Sequence, residues 1–349
     1  MFPAPVGGFI LPSEFSACIV FAILYGLLLP LVAYRIFDRR SRTLLLLGTI
    51  LFAVERIVVF SLRAVATRRE GYQTSDSLNK YQQATFGLGY IGIANDLVNL
   101  LRCAIVNPTF GHERWDEAPA SISKDTHFRT PEVGEEDHPI QRRNMRTTAG
   151  WVSLAFLASN VPGIIAGTMF HKDNFGDAHK ARRVASLRYA SSGVALFLIA
   201  IIVICTAWSQ RNQRRACLKA LYTTYALAGL TGMVAVYRLT VMWNDVPYLE
   251  YTGPGSLTSV PAKVTFYMFH ALPEWVAITG LLGLPIRKIY GTGFWGDWRA
   301  KDDTEKQIAK RRAKQERKDA EKEAQKALEA GNKEGVELQP MSSTNGLIR

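Results

Sequence analysis

Residues 266–285 read FYMFHALPEWVAITGLLGLP. The stretch is apolar and, at about 20 residues, long enough to cross the hydrocarbon core of a bilayer, yet His270, Pro273 and Glu274 sit near its middle. Hydrocarbon penalises such groups, so these residues decide between a buried soluble helix and a membrane span that encloses something polar. The rest of the chain resolves the choice. Apolar segments of similar length run over 15–36, 44–62, 84–106, 149–170, 187–208 and 218–242, and the quoted stretch belongs to a seventh at 262–285. The mean hydropathy is near zero only because a charged C-terminal region dilutes this apolar body. The expected fold is an all-α membrane protein, a bundle of seven transmembrane helices.

Lysine and arginine in the loops set the orientation, because cytosolic loops carry the excess. The opening MFPAPVGGFILPSEF has no basic residue, and neither has 243–261. Arg39, Arg40 and Arg42 follow the first segment, Arg211, Arg214 and Arg215 follow the fifth, and fifteen basic residues lie from Arg287 onward. The N-terminus is therefore expected outside and the C-terminus in the cytosol, although Arg68, Arg69, Lys80, Lys172, Lys180, Arg182 and Arg183 fall on the opposite side of that rule. Without a basic n-region, and with arginines after the first apolar run, the N-terminus reads as an anchor rather than a removable signal.

This organises the chain into an extracellular arm (1–14), the bundle (15–286) with a long cytosolic loop at 107–148, an interfacial segment (287–301) and a charged cytosolic tail (302–349), helical to about residue 330. The loop is polar, with an acidic run at Glu135, Glu136 and Asp137, and reads as a flexible linker. Tyr290, Phe294, Trp295 and Trp298 suit the depth of the inner membrane interface. The tail has strong helix formers but no apolar face. It reads as a solvated helix, with attachment to anionic inner-leaflet lipid as the sharper alternative. Basic residues concentrated on the cytosolic side need no nucleic-acid partner to explain them. Cys18, Cys103, Cys205 and Cys217 all lie in or beside apolar segments, which argues against extracellular disulfides.

The candidate site is the set of polar groups at membrane depth. Glu55 and Arg56 lie in the second segment, Asp96 and Asn99 in the third, Arg238 in the sixth, and His270 and Glu274 in the seventh. A charged side chain at the centre of a spanning helix costs roughly 2.5–3.5 kcal/mol, so four of them facing lipid would cost on the order of 10 kcal/mol. They must face inward and pair, or line a wet cavity. Counting from segment midpoints puts Glu55, Arg56, Asp96 and Glu274 at similar depth, three acids to one base. Such groups can simply be glue between helices. A cluster drawn from four segments favours a polar cavity. Pro273 lacks a backbone donor, so the helix is expected to open one turn earlier, near Phe269 and His270, as a hinge beside that cavity.

Enzyme chemistry finds no foothold. His270 is the one histidine in an apolar segment, and His171 and His179 beside Asp173 and Asp177 match no metal-ligand spacing. No cofactor is implied.

The segments VAVYRLTVMWNDVPYLEY and FYMFHALPEWVA resemble the last two spans of the fungal lipid-translocating exporter family. Tyr237 and Arg238 match that family's Tyr-Arg pair, and Phe266, Tyr267, Phe269, Ala271, Leu272 and Pro273 match its aromatic run into Ala-Leu-Pro. Glu55 and Arg63 are similar to a glutamate and arginine of its second span. His270 stands where the family has aspartate, and Val241 where it has glutamate, so a related fungal seven-span family fits as well. The resemblance implies a protein that exports sphingoid bases or confers resistance to amphiphilic toxins. The leading expectation is transport or transbilayer movement of a lipid or amphiphile, in the plasma membrane or an endomembrane. The runner-up is a seven-span receptor of the G-protein-coupled type, and a third reading is a scaffold whose tail recruits a cytosolic protein.

Overall fold

The computed structural model describes residues 1–123 and 125–337. Its elements, in chain order, begin with a two-residue strand β1 (Phe2–Pro3) and the helices α1 (Phe15–Gly26), α2 (Leu29–Phe37), α3 (Leu47–Arg68), α4 (Glu70–Gln73) and α5 (Asp76–Val106). Next come α6 (Pro139–Thr168), α7 (Ala178–Asn212), α8 (Leu218–Val241) and β2 (Asp245–Val246). The chain ends in α9 (Val260–Phe266), a π-helical turn (Tyr267–Ala271), α10 (Leu272–Gly283), α11 (Ile286–Tyr290) and α12 (Glu305–Glu337). Residues Met1–Ala300 form one compact unit and Lys301–Arg349 a second.

Six helical stretches are long and apolar enough to cross a bilayer: Pro12–Phe37, Leu44–Arg68, Asp76–Thr109, Pro139–Thr168, Ala178–Asn212 and Leu218–Val241. The protein is a helical, multi-pass membrane protein. The distribution of side chains agrees with a lipid solvent. Val20, Ile23, Leu51, Leu154, Phe197 and Ile204 face outward, while arginines are buried. The helices outrun the apolar segments that announce them. α5 starts eight residues before Ala84 because Ser75 caps it, its hydroxyl accepting the Leu78 N–H, and Asp177 caps α7 in the same way.

α5 is the axis of the unit: it packs against α6, α8, α3 and α7, and 72% of its most apolar window is buried, against 28–50% for the other five stretches. α1 lies on α3, and α10 on α8. The seventh apolar segment is helical from Val260 to Gly283 but changes pitch in the middle. Pro273 cannot donate to the Phe269 carbonyl, and the Leu272 N–H reaches back five residues to Tyr267, so the widened turn falls over His270.

Two segments differ from expectation. The N-terminal arm is packed onto the bundle. Phe2, Ala4, Val6 and Ile10 are buried, β1 pairs antiparallel with β2, and Phe2 stacks on Phe175. The reason is polar as much as apolar: Gln83 exchanges both hydrogen bonds with the Val6 backbone, and Lys263 donates to the carbonyls of Gly7 and Phe9. Within the expected linker at 107–148, residues 107–123 are likewise packed. α6 begins at Pro139, and 107–122 winds into three short 3-10 helices whose Phe110, Ala118 and Ala120 are buried. Asn107 ties them down, donating to the Tyr290 and Gly291 carbonyls and accepting the Ala120 N–H. That approach requires Gly291, whose φ of 54° is left-handed and whose Cβ would overlap Asn107, Phe128 and Ala120. Tyr290, expected at the interface, is buried beside Thr224, whereas Trp295 and Trp298 are exposed. α12 continues past the expected end near residue 330 to Glu337, and 338–349 lie outside the described residues.

Candidate functional site

The polar interior is built in tiers. The outermost is centred on Glu14, just before α1. One carboxylate oxygen accepts Arg63 Nε at 3.1 Å and Nη2 at 2.8 Å, and the other lies 2.5 Å from Lys263 Nζ. Arg63 also donates to the Gln82 side chain and to the Gly7 carbonyl, so this tier fastens the N-terminal segment over the end of α3, α5 and α9.

Two turns inward along α3 lies Arg56, with no exposed surface. It grips Glu274 with two parallel hydrogen bonds, Nε to Oε2 at 2.9 Å and Nη2 to Oε1 at 3.1 Å. Nη1 donates to Glu55 at 2.9 Å, and Nη2 also meets the Thr85 carbonyl. A fork-on-fork pair of this kind is the strongest arrangement available to an arginine. Gly89 makes room for it, since a Cβ there would overlap both Arg56 Nη2 and Glu274 Oε1.

Arg238 and His270 stand next to this pair with Phe86 as the shared wall. The Phe86 ring lies 5.5 Å from the Arg56 guanidinium and 5.7 Å from the His270 ring, and its carbonyl accepts Arg238 Nη1 at 3.0 Å. Arg238 also donates to Ser192 and lies over the Tyr90 ring. His270 is enclosed by Phe86, Phe266 and Tyr237, and neither ring nitrogen makes a hydrogen bond among the described residues.

Asp96 and Asn99 are not part of this constellation. Asp96 lies seven residues beyond Gly89, about 10 Å further along α5. It accepts the N–H and the hydroxyl of Thr49 at 2.7 and 2.8 Å, with the Gly48 backbone against it. Asn99 bonds back to the Asn95 carbonyl of its own helix. Counting from segment midpoints misjudged the depth of Asp96 because α5 begins well before its apolar stretch. Arg56 therefore faces two acids, Glu55 and Glu274, rather than three.

Sequence reasoning missed Glu14, Lys263, Arg188 and Phe86. Arg188 is buried in α7, donates to the Ala4 carbonyl at 2.8 Å and lies over the Phe170 ring. Its place one residue inside the apolar run at 187–208 was the available signal. Counting this half of the bundle among the described residues, the buried cations are Arg56, Arg63, Arg188, Arg238 and Lys263, while the carboxylates are Glu14, Glu55 and Glu274. Arg188 and Arg238 form no direct ion pair among the described residues: Asp245 and Glu274 act on them only at longer range, and the two arginines are close enough for their charges to oppose one another. Chemically, the site is a region of buried positive charge covered by the N-terminal segment, which Arg63, Gln83, Arg188 and Lys263 hold in place. Compared with known proteins, the chain matches no family model, no curated protein and no solved structure.

Proposed function

We propose that the protein crosses the membrane seven times, with the N-terminal face outside, and moves an amphiphile across the bilayer past the buried arginines of α3, α7 and α8. The helix interrupted by the π turn is the seventh span in this reading, and the basic loops at 38–43 and 211–215 favour the cytosol for the opposite face. Kinship with the lipid-translocating exporters belongs to the same proposal. It draws support from Arg238 and Phe266, matching positions that both meet Phe86, and from Tyr237, which packs edge-on against the neighbouring His270.

One observation carries the reading: buried arginines outnumber the carboxylates available to them. An uncompensated buried charge is expensive, and groups of this kind inside a membrane usually mark the path of a charged partner. Arg188 and Arg238 would suit a phosphate or carboxylate headgroup, with its acyl chain leaving through the lipid-facing groove beside Tyr237 and Phe269.

Reconstitution into liposomes with fluorescent lipids tests this. The protein should move an anionic analogue between leaflets, and Arg238→Gln should abolish that movement with the melting temperature nearly unchanged, because no direct ion pair is broken and the loss of long-range attraction to Glu274 is offset by relief of the repulsion from Arg188. Full activity in Arg238→Gln, or no protein-dependent movement of any labelled amphiphile, would overturn it.

A further inference from the structure

The α7–α8 turn holds a second concentration of positive charge, far from the tiers above. Between Asn212 and Leu218 the chain turns sharply, and an open cavity of about 540 Å³ lies against it. Its walls carry His127, Arg129, Arg211, Arg214, Arg215 and Lys219, and no aspartate or glutamate. Volumes of this size hold ligands as large as a sugar phosphate.

Loop arginines beside a membrane are common, so the arrangement matters more than the count. Arg129, Arg211, Arg214 and Lys219 form no ion pair among the described residues, and their side chains are exposed. Arg215 is different: it is held by Glu135 at 2.7 Å and by the Phe110 carbonyl at 2.9 Å, with its guanidinium over the Trp115 ring. It forms a fixed wall rather than a mobile contact. Gln213 braces the turn from below, donating to the Ile105 carbonyl at 2.7 Å and meeting the Ser209 hydroxyl. Residues 126–128 close the far side, with the His127 N–H on the Lys288 carbonyl. Partial burial and the charges of Lys219 and Lys288 hold the His127 imidazole below its usual range, which reports a positive field. The basic groups thus converge from two separate parts of the chain, 127–129 and 211–219, onto a rigid floor.

The surroundings favour a lipid as the ligand's source. Trp208, Leu218 and Tyr222 are exposed on the helices that meet at this turn, so an apolar, aromatic surface leads from the cavity toward the hydrocarbon. Basic pockets at the ends of membrane helices suit multiply charged headgroups, each basic residue adding about fivefold in affinity near the surface.

We propose that this cavity binds a polyphosphorylated headgroup, that of an inositol phospholipid in the adjoining leaflet. The site is independent of the transport path and stands or falls apart from it.

The full-length protein in detergent would be titrated with short-chain phosphatidylinositol bisphosphate, phosphatidylserine and free inositol trisphosphate. The bisphosphate lipid should bind much more tightly than phosphatidylserine. Substituting R211Q, R214Q and K219Q together should weaken it roughly 100-fold, and each alone about fivefold. The single variants keep the test independent of how the triple variant folds. Substituting K306Q, K310Q and K314Q in the charged C-terminal helix should change nothing. Equal binding of phosphatidylserine would mean diffuse charge attraction and would overturn the proposal. So would unchanged affinity in the turn variants, or loss of binding in the C-terminal ones. Inositol trisphosphate binding as tightly as the lipid would make this a site for a soluble metabolite, which also overturns it.

Discussion

Glu274 illustrates how one residue can carry a chain's ambiguity. In sequence it could titrate in a cavity or neutralise an arginine. In the structure both its oxygens are occupied by Arg56, the two parallel bonds lying at 2.9 and 3.1 Å. Glu274→Gln keeps the shape but leaves Arg56 with only Glu55, whose side chain is 22% exposed and so a weaker partner. Breaking one side of a buried pair costs roughly 3–5 kcal/mol. The lower end applies here because Glu55 and the Thr85 carbonyl stay in place. Thermal melting in detergent should show the Glu274→Gln protein clearly destabilised, and Arg56→Gln added to it should restore much of the loss. A single variant that melts like the parent would leave Glu274 free for proton chemistry.

At the scale of elements, α6 and the segment before it depend on one carboxylate. Asp137 accepts both Arg142 terminal nitrogens at 2.8 Å and the Gly111 N–H at 3.0 Å. Burial alone would raise its pKa, but the Arg142 bonds and the backbone N–H outweigh it and hold the carboxyl below the usual range. A depressed carboxylate pKa means stability that is present above the unfolded range and lost as pH falls through the folded value. Limited proteolysis should therefore find 110–137 protected at neutral pH and cleaved progressively in acid. Asp137→Asn should be cleaved already at neutral pH and respond little to further acid. Cleavage of both proteins alike at neutral pH would mean the lock contributes nothing.

On the scale of the molecule, Arg299 belongs with the bundle although it lies beyond the last apolar segment. Its Nη2 donates to the Glu117 carbonyl, its own carbonyl accepts Arg102, and neighbouring Asp297 holds Arg146 at 2.7 Å. The boundary between the two compact units falls after Ala300. A chain cut there should insert and melt like the full protein, because α12 is a separate unit without an apolar face. Tags at the two ends of the full chain should be reached from opposite sides of the membrane if the proposed seven spans hold. Both tags on one side would exclude an odd number of spans.

Local chemistry determined what a single stretch of chain can express. Apolar length marked the membrane-crossing helices, since about 20 residues of hydrocarbon-compatible side chain have few other uses. The missing donor of Pro273 located the widened turn within a residue or two. Helix ends escaped, because caps such as Ser75 and Asp177 lie in polar sequence beyond the apolar signal. Tertiary structure alone decided which charges meet. Arg56 and Glu274 are 218 residues apart, and Glu14 and Lys263 lie on segments that look like loop and span edge. The N-terminal residues and 107–123 read as solvent-exposed because their composition is polar or neutral. They are packed because Lys263, Gln83 and Arg188, distant in sequence, satisfy the N-terminal backbone, while Asn107 joins the Ala120 N–H to the carbonyls of Tyr290 and Gly291. A backbone group without a partner cannot stay in an apolar interior, and the partners that solve this are invisible until the helices are assembled.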